Sequence, residues 1–359
     1  MTDSRMTDSR MIGSRIIDSR IPESSSPLLE VRNLRKYFTQ RSGVLKQHKQ
    51  YLHAVDNISF DIHRGEVLGL VGESGCGKST LAKALLRLYE PDAGSIRFDG
   101  ETIFDSENRI KLAAEPMRNM RRRMQMIFQD PYDSLNARHT IGDIIEEPLL
   151  VHKIGDRRQR RAAVRALLDQ VGLPQSASER FPHEFSGGQR QRVGIARAIA
   201  LKPDFVVCDE AVSALDVSIQ AQIINLLLEL RSSLNLSLLF ISHDLSVVHH
   251  LSDRIAVMYL GEIVELAPAR SIYTQALHPY TQHLIASIPK PDPGRVRTLP
   301  PLSGPSFGGE VPSPLNPPSG CRFHTRCPKA QPRCSAEKPK LEIITSDALH
   351  QVACHFPSK

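Results

Sequence analysis

Short apolar runs separated by polar turns begin at Leu28 and recur through the first part of the chain. Residues 28–31, 58–62, 67–71 and 95–98 each read as a strand of a few residues bounded by turn formers. Beyond Pro131 the period changes. From about Tyr132 to Phe185 apolar residues return at helical spacing, as at Ala163, Val164, Leu167, Leu168 and Val171. Thr140 ahead of residues 141–150 and Asp156 ahead of residues 157–172 are cap residues, each able to accept the orphan N–H groups of a first turn. Apolar strands then come back at 205–209, 237–241, 255–259 and 262–266, with helices expected at 189–201 and 217–234. Strands alternating with helices predict an α/β fold.

The strand at 67–71 runs straight into Gly72-Glu73-Ser74-Gly75-Cys76-Gly77-Lys78-Ser79-Thr80, which spells G-x-x-x-x-G-K-S/T. A strand feeding a glycine-rich turn that opens a helix is the geometry a triphosphate needs. The glycines let backbone N–H groups turn inward around phosphate oxygens, and the helix from about Ser79 to Leu88 adds its positive end. Lys78 then reaches the β- and γ-phosphates of ATP, and the Ser79 hydroxyl holds magnesium.

Other motifs sit at strand ends too. Residues 124–127 end at an exposed Gln129. Residues 205–208 end in Asp209 and Glu210, the first placed to hold magnesium through water and the second to polarise an attacking water. Residues 237–241 end in Ser242-His243-Asp244, where His243 can donate to a γ-phosphate. Phe185-Ser186-Gly187-Gly188-Gln189 is a second glycine turn before a helix, and hence a second anion grip. One chain hardly needs two grips on one phosphate, so a dimer is expected in which each copy's second turn closes over the other copy's nucleotide. Among the aromatics at 37–38, Phe38 is the choice for stacking on adenine and Tyr37 the fallback.

Composition adjusts this picture little. Of 359 residues 40% are apolar, enough for a core, and no run approaches the roughly 18 to 20 apolar residues of a membrane span. Lys and Arg number 46 against 39 Asp and Glu, giving +7 and a pI near 9.1, which alone does not separate nucleic acid, lipid or a plain basic surface. The basic run at 156–161 has no interleaved aromatics, which favours the solvated face of a helix over a nucleic-acid patch. Residues 1–27 form a degenerate five-residue repeat (Thr2-Asp3-Ser4-Arg5, Thr7-Asp8-Ser9-Arg10) with too little apolar surface to fold, and its regular arginines leave no room for a secretory h-region. A cytosolic chain with a disordered tail is expected.

Cys76 and Cys208 lie inside the nucleotide motifs and read as small buried fillers. Cys321, Cys327, Cys334 and Cys354 cluster near the end, beyond a Pro- and Gly-rich linker at 289–320. A cytosolic setting disfavours disulfides, so the expectation for these four is a metal site, with iron–sulfur, zinc and free thiols all open; the spacing lacks the C-x-x-C pairs of zinc ribbons.

Taken together these motifs resemble the ATP-binding subunits of ABC transporters, from Leu28 to about Leu266: Walker A (Gly72 to Thr80), Q-loop (Gln129), signature (Phe185 to Gln189, with phenylalanine where the family most often has leucine), Walker B and glutamate (Phe205 to Glu210), D-loop (Ser213 to Asp216) and H-switch (His243). The resemblance implies a P-loop NTPase cassette: a RecA-like α/β core with an antiparallel β subdomain and a helical subdomain. It implies two ATP molecules in a sandwich dimer, with Gln129 joining Ser79 and Asp209 around magnesium. Ser186, Gly187, Gly188, Gln189 and Asp216 would reach across to the partner's nucleotide. The segment His278-Pro279-Tyr280-Thr281 and the four-cysteine tail resemble the C-terminal extension of the oligopeptide and dipeptide importer ATPases, which suggests a four-iron, four-sulfur cluster on those cysteines. Domains at 28–267 (helical subdomain about 132–185) and 268–359 follow. The implied setting is peripheral, on the cytoplasmic face of the plasma membrane. Implied partners are a related second ATPase subunit, two membrane permeases and a solute-binding protein, with peptides as cargo. Glutathione, nickel or another small solute is the alternative, and a non-transport ATPase acting on nucleic acid is disfavoured because no coiled-coil or zinc insertion separates the two Walker motifs.

Overall fold

The computed structural model of the protein describes residues 26–42, 48–130, 134–213, 215–288, 310–344 and 349–358. Nearly all of the repeat tail expected at 1–27, most of the linker expected from 289, and Pro131 and Ala214 lie outside the described residues. Along the chain run β1 (Leu29–Ser42), β2 (His48–Ile62), β3 (Val67–Val71), β4 (Ala93–Phe98), β5 (Glu101–Asp105), β6 (Ile110–Lys111), β7 (Met124–Ile127), β8 (Phe205–Asp209), β9 (Ser237–Ile241), β10 (Arg254–Tyr259), β11 (Glu262–Pro268), β12 (Glu342–Ile343) and β13 (Gln351–Val352). They form two sheets. One is antiparallel in the order β2-β1-β4-β5-β6, and the other has the order β12-β13-β11-β10-β3-β9-β8-β7.

In the larger sheet β10, β3, β9, β8 and β7 are mutually parallel. Parallel strands are covered on both faces and so read as unbroken apolar runs. Each still divides its side chains by parity: Val67 and Val71, Val206 and Cys208, Leu238 and Phe240 enter one core. Leu68 and Leu70, Phe205 and Val207, Leu239 and Ile241 enter the other. The first core is roofed by the helices Gly187–Ile199 and Val217–Leu234, and the second by the helix Lys78–Leu85 and the antiparallel sheet.

β1 and β2 are much longer than the short runs that sequence marks. The reason is a pair of left-handed residues. Asn33 (φ 49°) and Asn57 (φ 61°) break the alternation, so that buried Leu29 and Val31 give way to buried Leu34, and Val55 to Ile58. The β1–β2 register shifts at the same place. A bulge of this kind hides a continuous strand from a period-two reading.

The helices Ile141–Val151 and Arg157–Gln170 carry the expected caps, with Thr140 Oγ1 accepting from the Asp143 N–H (3.2 Å) and Asp156 from the Gln159 N–H (2.8 Å). The basic run at 157–161 lies on the outer side of the second helix, with Arg160 turned back onto Glu146 at 2.6 Å.

Beyond β11 the chain adds the helices Ala269–Thr274, Pro279–Ala286 and Pro332–Ala336 and the short β12 and β13. Glu265 fastens them. Its fully buried carboxylate accepts from the N–H groups of Leu277 (2.7 Å) and His278 (3.0 Å) and lies 2.8 Å from His350 Nε2. His278 in turn caps the helix Pro279–Ala286, its Nδ1 accepting from the Tyr280 N–H at 3.1 Å, which requires a neutral ring.

Burial pushes the His278 pKa down to about 4, against the pull of nearby Glu265. The unfolded chain therefore takes up this proton first as pH falls. Stability contributed by neutral His278 is complete above about pH 6.5 and is lost toward pH 4, at about 1.4 kcal/mol per pH unit. Thermal unfolding at pH 7 and pH 5 checks this: His278→Asn keeps a cap but cannot titrate, and its melting temperature should fall less than that of the wild type across the interval. Equal falls would assign the acid sensitivity to other groups.

Candidate functional site

Because β3, β9, β8 and β7 are adjacent and parallel, their carboxyl ends share one edge, the place where open α/β sheets bind ligands. The glycine loop leaves β3, Phe128 and Gln129 leave β7, Asp209 ends β8 with Glu210 next, and Ser242 and His243 leave β9.

The loop is confined by backbone on its inner side. At Gly77 (φ 110°) a Cβ would lie 1.9 Å from the Ala54 carbonyl oxygen, and at Gly72 2.1 Å from that of Met258. At Gly75 a Cβ would meet nothing within 4 Å, and Ser74 beside it is exposed, so the tip faces outward. Cys76 is buried behind it. Lys78, also buried, donates to the carbonyls of Gly72 (2.8 Å) and Glu73 (3.0 Å). Ser79 and Thr80 open the following helix.

Ser79 Oγ donates to Asp209 Oδ1 at 2.9 Å. Burial raises the Asp209 pKa, Ser79 and the ammonium groups of Lys83 and Lys78 draw it back, and neighbouring Glu210 pushes it up. A hydroxyl and a carboxylate in hydrogen-bond contact beside a phosphate loop are the hard oxygen donors that magnesium takes, so these residues fit that ion. They also line a cleft of about 670 Å³, with Lys83, Phe128 and Gln129, that extends to Glu147 and Pro148 of the helical region.

Glu210 diverges from its neighbour because its backbone is left-handed (φ 47°), an arrangement held by its N–H bond to the Ile241 carbonyl at 3.0 Å. Its carboxylate accepts from Gln129 Nε2 at 2.8 Å and stands 3.7 Å from His243 Nδ1. Gln129 thus meets Glu210, while Ser79 meets Asp209. His243 is more than half exposed. Cys208, buried behind the pair, has its thiol pushed up to about 12 and is inert, a filler like Cys76.

Ser186, Gly187, Gly188 and Gln189 form a separate surface. Ser186 caps the helix Gly187–Ile199, with Ser186 N–H donating to Gln189 Oε1 at 3.0 Å. Gly188 is required because a Cβ there would lie 2.4 Å from Ile219. That contact brings the start of the helix Val217–Leu234, capped by Asp216, alongside this turn. Among the described residues no hydrogen bond or ion pair joins the turn to the glycine loop. Phe185 is buried, with Arg180 over its ring at 4.6 Å. On β1, Tyr37 is committed to Asp56 (2.6 Å) and to the His53 ring, whereas half-buried Phe38 meets Tyr89 edge to face at 5.3 Å.

Sequence reasoning missed two groups that touch the loop. Arg326 pairs with the Glu73 carboxylate at 3.0 Å, and the Tyr280 hydroxyl accepts from the Glu73 N–H at 2.9 Å. They lie 253 and 207 residues away from Glu73, and no local spacing announces them.

The expectation of an iron–sulfur or other metal site on Cys321, Cys327, Cys334 and Cys354 is overturned. Among the described residues no group of three or more His, Cys, Asp or Glu is placed to hold a metal ion. The four cysteines are free and line one cavity of about 10 Å³ with Phe323 and Phe356. That is room for about one water. Burial raises the pKa of Cys327 and Cys354 and pushes Cys321 to about 12.

Comparison with known proteins agrees with the geometry. The ABC transporter family matches residues 55–213, and the oligopeptide/dipeptide transporter C-terminal region matches residues 264–334. A probable peptide ABC transporter ATP-binding protein of Sinorhizobium fredii is 50% identical over 92% of this chain and 90% of its own length. The oligopeptide transport ATP-binding protein AppF of Bacillus subtilis is 49% identical over 92% of this chain and 98% of its own. Among solved structures, the dimeric post-hydrolysis state of the ATP-binding cassette MJ0796 bound to ADP and Pi superposes with a TM-score of 0.58 at 26% identity, covering 67% of this chain and 99% of that one. The chain belongs to the ATP-binding subunits of ABC transporters, in the oligopeptide/dipeptide importer family, with the RecA-like cassette fold and the magnesium-dependent ATPase activity typical of that cassette.

Proposed function

We propose that this subunit hydrolyses ATP to drive uptake of di- or oligopeptides, working peripherally at the cytoplasmic face of the plasma membrane. The observation that carries the reading is the division of labour at one sheet edge, Asp209 on Ser79 and Glu210 on Gln129, directly below a glycine loop that ends in Lys78. Lys78 exchanges its two carbonyl partners for β- and γ-phosphate oxygens. Ser79 and Asp209, with Gln129 at the margin, would hold magnesium, which would supply positive charge against the phosphates. Glu210 orients the attacking water and accepts its proton, and His243 steadies the γ-phosphate. Phe38 offers its face to the adenine.

The turn Ser186–Gln189 and Asp216 serve the nucleotide of a second ATPase subunit, a related chain, in a sandwich that opens when hydrolysis removes the bridging charge. That the cassette MJ0796 forms a dimer with ADP and Pi bound supports the pairing of two cassettes. Gln129 and the helical region, which border the same cleft, pass the motion to two permease subunits supplied by a solute-binding protein. Peptide as cargo rests on the peptide and oligopeptide transport named for the relatives and on the matched C-terminal region.

Three outcomes are expected. Glu210→Gln should lower ATP turnover by about 10² to 10⁴ while nucleotide still binds, as removal of a general base does; turnover at the wild-type rate would take Glu210 out of that role. Lys78→Ala should weaken ATP binding in a titration, and unaltered affinity would displace the nucleotide from the loop. In vesicles carrying the co-purified permeases and binding protein, peptides should stimulate ATPase activity more than glutathione or nickel does. Recovery of nucleic acid in place of membrane subunits would defeat the transport assignment.

A further inference from the structure

Three side chains hold the residue after Gly72, Glu73. Lys78 Nζ donates to the Glu73 carbonyl (3.0 Å), the Tyr280 hydroxyl accepts from its N–H (2.9 Å), and Arg326 pairs with its carboxylate through both terminal nitrogens at 3.0 to 3.2 Å. Two of these holds come from the C-terminal extension. Neither is a casual surface contact, because Tyr280 is fully buried and the Arg326 side chain is 8% exposed. Tyr259, Tyr280 and Phe323 pack around them, with ring centroids 4.6 to 5.4 Å apart. Among the described residues Arg326 Nε is buried with no hydrogen-bond partner. An arginine kept at that cost is a poor choice for packing alone, since well-packed apolar side chains of similar volume are often as stable as a buried ion pair or more so.

We propose that Arg326 and Tyr280 are positioning residues for the nucleotide: the C-terminal extension grips the phosphate loop and sets its affinity for ATP. When Lys78 leaves the carbonyls of Gly72 and Glu73 to meet phosphate oxygens, the loop loses one internal prop and keeps the Cys76 N–H on the Glu73 carbonyl (3.3 Å). Tyr280 and Arg326 are then the side chains that hold Glu73. Their grip keeps the loop in its binding shape, so the ordering cost is not charged against ATP binding. The coupling runs both ways, and bound ATP strengthens docking of the extension by the same factor.

The inference rests on the reading of the loop as the nucleotide site, and the test separates the two. ATP is titrated into the full chain, and turnover is measured at saturating ATP. Arg326→Ala should weaken ATP affinity about tenfold, within the usual range of coupling between sites, with turnover at saturation changed less than about twofold. Arg326→Lys should recover part of the loss. Tyr280→Phe removes one hydroxyl and should weaken affinity in the same direction; it decides the matter should Arg326→Ala fail to fold. Glu73→Gln combined with Arg326→Ala should cost little more than either change alone, because both break one pair. Arg333→Ala, which breaks an exposed pair with Glu337 in the same extension, should bind ATP as the wild type does. Wild-type affinity in Tyr280→Phe and in folded Arg326→Ala, or simple addition of the Glu73 and Arg326 effects, overturns the proposal. If Lys78→Ala also binds normally, the nucleotide reading of the loop fails instead.

Discussion

The 2.9 Å hydrogen bond from Ser79 to Asp209 spans 130 residues of sequence and depends on strand register. β9 lies between β3 and β8, and Ile241 pairs with Leu70 on one side and Asp209 on the other, so both strands end at the same level. A slip of one residue would turn Asp209 to the opposite face of the sheet. The double apolar core prevents it. Each of these strands sends large side chains to both faces, and exchanging the faces would bury the wrong set in each core. Packing that carries no chemistry therefore fixes the distance on which the chemistry depends.

The backbone at Glu210 solves a second problem. Two consecutive carboxylates at one strand end repel, and burial already raises the pKa of Asp209. The left-handed turn costs on the order of 1–2 kcal/mol for a residue with a side chain. In exchange it sends Glu210 to the Gln129 amide while Asp209 keeps Ser79. One acid faces the Ser79 hydroxyl and the other the Gln129 amide, the separation that their proposed roles in hydrolysis require.

Much of this was legible in sequence, and the parts that were not share a cause. β3 and β9 coincide with their apolar runs because a strand covered on both faces needs no alternation to be recognised. Thr140 and Asp156 announced their helices because a cap is a local bond. The continuation of β1 beyond residues 28–31 escaped notice because one left-handed asparagine shifts the parity of buried positions, and nothing local marks Asn33 as a bulge rather than a loop. The four late cysteines misled for a related reason. Residue type and count suggest ligands, whereas the volume they enclose is a property of the packed tail. Arg326 and Tyr280 were invisible because their partner lies more than 200 residues upstream.

The same packing makes the extension an integral part of the cassette. Glu265 lies on β11 inside the cassette's sheet, yet the groups that meet its carboxylate, Leu277, His278 and His350, all come from the chain beyond β11. Ending the protein after β11 would strip that acid of all three partners and of its pairing with β13. It would also remove Tyr280 and Phe323, which pack on the buried Tyr259. β10, which carries Tyr259, pairs directly with β3, and its Met258 carbonyl is the wall that Gly72 must clear. Loss of the extension would thus reach the phosphate loop by two routes, through Glu73 and through the strand beside it, so the cassette's sheet edge and its C-terminal region have to be treated as one binding unit.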